Sequence, residues 1–101
     1  MKYKLAIMPL FINDVNSATD YIKNTLKNPS VAEKLIQDVE DAIFERLPLC
    51  ESFAQFQSTR KRKHPYYKIT VRNFSIFYVV INNTMEVRRF LYSRRNIDKL
   101  I

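Results

Sequence analysis

Apolar positions along the first half of the chain repeat with two different periods. In "KYKLAI" they alternate, placing Tyr3, Leu5 and Ile7 on one side, and a short strand is expected. From Phe11 to Lys27 they recur every third or fourth residue, at Val15, Ala18, Ile22 and Leu26, as one stripe of an amphipathic helix does. Asn28-Pro29 ends that pattern and opens the next. Asn28 is a capping residue type and Pro29 has no N–H to lose at a helix start, so a second helix should run from there to near Leu47, before Pro48. It turns Val31, Leu35, Val39, Ala42 and Ile43 inward and leaves Glu33, Asp38, Glu40, Asp41 and Glu45 mostly outward.

The second half reads as sheet. Residues 48 to 66 hold no sustained period and include Pro48 and Pro65, which predicts a loop with an edge strand near Phe53 to Phe56. Three runs of strand composition follow, Tyr67 to Arg72, Phe74 to Ile81 and Met85 to Tyr92. The chain has no glycine, so Asn82-Asn83 must supply the left-handed backbone of the turn between the last two. The tail "SRRNIDKLI" suits a short helical turn that docks Ile97, Leu100 and Ile101 on the sheet. The expected fold is α+β: an N-terminal strand, a helical hairpin, then a mainly antiparallel sheet of three or more strands, with the hairpin on one sheet face. At 101 residues this is a single domain, 1–101, large enough for one core.

Charge changes the picture. Residues 1–59 carry six Lys/Arg against eight Asp/Glu, a net of −2, and residues 60–101 carry eleven against two, a net of +9, which together give +7. So uneven a split implies a polyanionic or acidic partner. Chemistry is narrowed by what is scarce. One histidine, His64, and one cysteine, Cys50, give no ligand spacing for a metal, and without glycine there is no Gly-rich phosphate loop, so neither metal nor cofactor is expected. The opening "MKYKLAIMPLF" has only a short apolar run broken by Lys4, which predicts no signal peptide or membrane anchor and a cytoplasmic protein.

The first strand, the second helix "NPSVAEKLIQDVEDAI", the strand pair "YYKITVRNFSIFYVV" and the terminal "RRFLYSRRNIDKLI" together resemble the RelE/ParE superfamily of toxins from bacterial type II toxin–antitoxin pairs. The resemblance spans nearly the whole chain. It implies one of two activities on one fold: a ribosome-dependent, metal-independent mRNA endoribonuclease that stops translation, or a non-enzymatic poison of DNA gyrase that blocks replication. The partners it implies are a cognate antitoxin encoded by an adjacent gene and either the ribosome with its mRNA or gyrase.

The expected site follows from the strand after the loop. Alternation places Tyr67, Ile69 and Val71 toward the helices and Lys68, Thr70 and Arg72 on the other face. There Arg60, Lys61, Arg62, Lys63 and Arg72 would hold RNA phosphates, and Tyr66 would stack on an unpaired base. By the resemblance, Lys68 matches a strand lysine of the RelE-type nucleases, and Arg95 or Arg94 matches their tail arginine. Thr70 and Ser75 stand where a further lysine and arginine would be, so Tyr92 and His64 are the candidates for proton transfer. The nuclease is the expectation, with the gyrase poison as its alternative and a basic binding module as a third class.

Overall fold

A computed structural model describes residues 2–56, 63–95 and 97–100. β1 (Lys4–Ile7) leads into α1 (Pro9–Asp20), and α2 (Pro29–Arg46) completes an antiparallel helical hairpin. β2 (Tyr67–Val71), β3 (Phe74–Ile81) and β4 (Thr84–Tyr92) form a meander, and α3 (Ile97–Leu100) ends the described chain. The sheet order is β1-β4-β3-β2, with β1 parallel to β4 and the remaining pairs antiparallel. The expected α+β fold is the observed one. No helix among the described residues is long and apolar enough to cross a membrane.

The helices differ from expectation in detail. α1 starts two residues before Phe11 because Pro9 sits at its first turn, where a missing N–H costs nothing. It does not continue to Lys27 as an α-helix. After Asp20 the backbone widens into a π turn, Tyr21–Thr25, in which the Leu26 N–H reaches back to the Tyr21 carbonyl at 3.1 Å, and Lys27 at φ 51 stops it. That widening leaves Ile22 in the core and turns Leu26 out, 56% exposed. α2 rotates by about one residue from its expected face. Ala32 is fully buried and Val31 is exposed, while Leu35, Val39 and Ile43 point inward as expected. The Asn28 side chain makes no cap to the helix backbone. Instead it accepts a hydrogen bond from the Ser30 hydroxyl at 3.2 Å. Near Phe53 to Phe56 there is a single bridge, Gln55 to Tyr67, in place of an edge strand.

β3 is buried on both sides. Ile76 and Tyr78 join the main core under the helices, and Phe77 and Val79 join a second cluster with Tyr66 and Leu91 on the opposite face. Phe56 and Ile97 pack on that second cluster, so α3 docks through Ile97 as expected, whereas Leu100 is exposed. Ile101 lies outside the described residues.

Two devices set the geometry of β4. The first is a bulge: Phe77 pairs with Arg89 but Tyr78 pairs with Val87, leaving Arg88 as an extra residue. Before it Met85 and Val87 face the helices; after it Phe90 does, and Leu91 joins the second cluster. The second device covers the edge of β4 beyond the end of β1. There the Asp14 carboxylate of α1 accepts the Phe90 N–H at 3.0 Å and two Arg89 guanidinium bonds, at 2.7 and 3.1 Å. An unpaired strand edge is thus closed by a side chain.

Candidate functional site: a cleft between the helical hairpin and the end of the sheet

The residues expected to form one basic groove lie on two faces of the sheet. Lys68 is exposed on the face away from the helices, opposite Phe77, with its ammonium 5.8 Å from the Phe56 ring centre. Tyr92 lies on the helix side, edge-on to Phe74 at 5.9 Å, and Arg95 lines the same side. The bulge at Arg88 is the cause. Strict alternation through β4 would have put Tyr92 on the face of Lys68, and one extra residue reverses every position after it.

Arg72 also departs from expectation. β2 ends at Val71, and Arg72 sits in the following two-residue turn at φ 54 rather than in the strand. From there it reaches the helix side, where Nη2 donates to Asp38 Oδ2 of α2 at 2.7 Å. This hydrogen bond, helped by Lys34 3.5 Å away on the same helix, holds the Asp38 carboxyl below its ordinary range. Tyr66 is buried, 7% exposed, against Phe77 at a ring separation of 6.3 Å, and so is packed in the second cluster rather than presented for stacking. His64 is half-buried and Lys63 and Arg94 are exposed. Arg60, Lys61 and Arg62 lie outside the described residues.

The structure brings together a different set. A cleft of about 850 Å³ opens between the hairpin and the far end of the sheet. Tyr21, Leu26 and Val31 line one wall, Phe74, Phe90 and Tyr92 the other, with Arg72 and Arg95 among the lining residues. Tyr21 and Leu26 are each more than half exposed, which is unusual for large apolar side chains set side by side. Sequence periodicity assigned Leu26 to the core and gave Tyr21 no role. The one available signal was Asn28-Pro29, which ends the helix close enough to loosen its last turn.

A polar network anchors the other end of the hairpin. The buried Tyr78 hydroxyl donates to the Cys50 carbonyl at 2.7 Å and accepts from Arg46 Nη1 at 2.9 Å, and Arg46 lies 3.5 Å over the Phe53 ring. Burial raises the phenol above its ordinary range, with Arg46 opposing it, so Tyr78 holds its proton and serves as a tie. Among the described residues no group of three or more His, Cys, Asp or Glu side chains is placed to hold a metal ion.

No family model matches this sequence, and no curated protein matches it. Among solved structures, a chain described as "Chromosomal ParDE TA system from P. aeruginosa" superposes with a TM-score of 0.73 at 16% identity, over 89% of this chain and 95% of that one. The chain has the RelE/ParE-like fold. What the RelE/ParE-like fold fixes here is the frame: a parallel first strand, a hairpin on one face, and a meander whose ends meet the helices. The cleft lies where that frame leaves the hairpin tip and the β4 terminus side by side.

Proposed function

We propose that this chain is the toxin of a type II toxin–antitoxin pair and that it acts by binding, as a poison of DNA gyrase, rather than by cutting mRNA. The observation that carries this reading is the separation of Lys68 from Tyr92 and Arg95 by a sheet packed on both faces. Metal-free cleavage needs a proton acceptor, a proton donor and positive charge around one phosphate, within hydrogen-bond reach of the reacting atoms. A loose hydrogen bond tightens when substrate arrives, but groups on opposite faces of a filled sheet stay apart. The fold shared with a ParDE system chain supports the toxin class. The exposed basic and apolar surface suits binding to a large assembly.

One preparation tested in two assays decides between the activities. Inhibited DNA supercoiling by gyrase with intact message on translating ribosomes is the expected result. Cut message with unaffected supercoiling overturns it and restores the nuclease.

A further inference from the structure

β1 is an end strand of the sheet, and among the described residues no strand lies along its outer edge. The Lys4 and Met8 N–H groups donate to the Asn83 and Val87 carbonyls, at 2.8 and 2.9 Å, so by alternation the backbone of Leu5 and Ile7 faces the open side. Beside this edge an apolar groove of about 470 Å³ runs between the two helices and β1. Phe44 of α2 and Ile12 of α1 stand on its walls, 62% and 47% exposed, with Ile7 at its rim. Side chains of that size, exposed to that degree, leave on the order of 300 Å² of apolar surface in water.

Charge and symmetry select the occupant. Among the described residues the groove is lined by no cation and by one carboxylate, Glu40, on a chain of net charge +7. It offers nothing to a nucleic acid or an acidic segment, whereas a second copy of the chain approaches it against little repulsion. The edge is also its own complement. Two β1 strands set antiparallel about a twofold axis at Ala6 place Leu5 of each opposite Ile7 of the other, and each such pair exchanges two N–H···O=C bonds. The Leu5 and Ile7 side chains lie on the groove side, so the same pairing brings the two grooves together.

We propose that this face joins two copies of the chain: β1 meets β1 antiparallel, the two four-stranded sheets become one, and Ile7, Ile12 and Phe44 of each copy close over the groove of the other. The apolar patch and a four-residue strand fall short of the roughly 800 Å² per partner of a standard interface, so the dimer is weak, with a Kd on the order of 10 µM. The pairing does not depend on the activity proposed above.

The test is sedimentation equilibrium of the purified chain at concentrations on the order of 1 to 300 µM, which bracket that Kd and show monomer passing to dimer. Phe44→Asp and Ile12→Asp each weaken the dimer by roughly 30-fold or more, since each change acts twice in a twofold interface. Both leave the thermal midpoint of the dilute chain unchanged because both side chains are exposed there, and either one serves should the other lose its fold. Ala6→Cys reports the register. Residues of a non-hydrogen-bonded antiparallel pair sit about 4.5 Å apart, within disulfide reach, so mild oxidation with copper phenanthroline links two Ala6→Cys chains. The wild-type chain stays unlinked because Cys50 is fully buried. A chain that is monomeric over the whole range, or a dimer that keeps wild-type strength in both groove variants, overturns the proposal. A dimer whose Ala6→Cys form does not cross-link overturns the strand pairing. A monomer that takes the adjacent gene's product into the same groove overturns the second copy as occupant. None of these outcomes alters the result of the supercoiling and message assays, so the two readings fail separately.

Discussion

Removing the Asp14 carboxylate takes away three hydrogen bonds at once, two from Arg89 and one from the Phe90 N–H. Its side chain is only 16% exposed, so Asp14→Ala leaves Nε and Nη2 of Arg89 and a backbone donor without their acceptor, while Nη1 keeps the Leu100 carbonyl at 2.8 Å. A loss of about 1–3 kcal/mol is expected in urea unfolding, from the usual worth of hydrogen bonds to a charged group. An effect below about 0.5 kcal/mol, the range of an ordinary surface change, would show that water replaces the carboxylate without penalty. Asp14 was legible in part, because it stands three residues after Phe11 on the apolar stripe of α1, an odd place for an acid. Its partner was not. Nothing in a period of two or of 3.6 tells that a helix crosses the open edge of a strand 75 residues later. The same limit hid the Arg72–Asp38 pair, since Asp38 read as an outward charge of α2 and Arg72 as a phosphate-binding one.

At the level of elements, each strand and helix of the meander and hairpin was visible in its hydrophobic period, and the errors came where one residue breaks a period. The π turn moved Leu26 out of the core, the one-residue rotation of α2 exchanged Val31 for Ala32, and the bulge at Arg88 moved Tyr92 to the helix side. A single inserted residue costs little and reverses the facing of everything after it, so the site was less legible than the fold. The Asn82-Asn83 turn was read correctly, and both residues have positive φ, 50 and 59. A non-glycine residue in that region carries strain of about 1–2 kcal/mol, and asparagine tolerates it better than most. Asn83→Gly should therefore raise stability by up to about 1 kcal/mol, and Asn83→Val should lower it by about 1–2 kcal/mol, both measured by chemical unfolding. Equal midpoints for the two variants would remove the turn as the register-setting element.

Over the whole molecule, the sheet is a wall with the main core on one side and a smaller apolar cluster on the other, and β3 is its centre. Ile76 is fully buried there, and Ile76→Asp places an unpaired charge in the core at a cost of several kcal/mol against a total stability of about 5–15 kcal/mol. Loss of the cooperative thermal transition is the expected outcome, and a retained wild-type midpoint would show that the core lies elsewhere. The parallel pairing of β1 with β4 carries a further consequence for how the chain is made. Lys4 must find Thr84, 80 positions later in synthesis, which at about 5–20 residues per second leaves β1 waiting for roughly 4–16 s. β2, β3 and β4 close on one another through two-residue turns and can form as soon as they emerge, whereas the first strand has no partner until they do. Until then the inner faces of α1 and α2 stay open to water, and the nascent chain is at its most exposed to capture by whatever is being synthesised nearby.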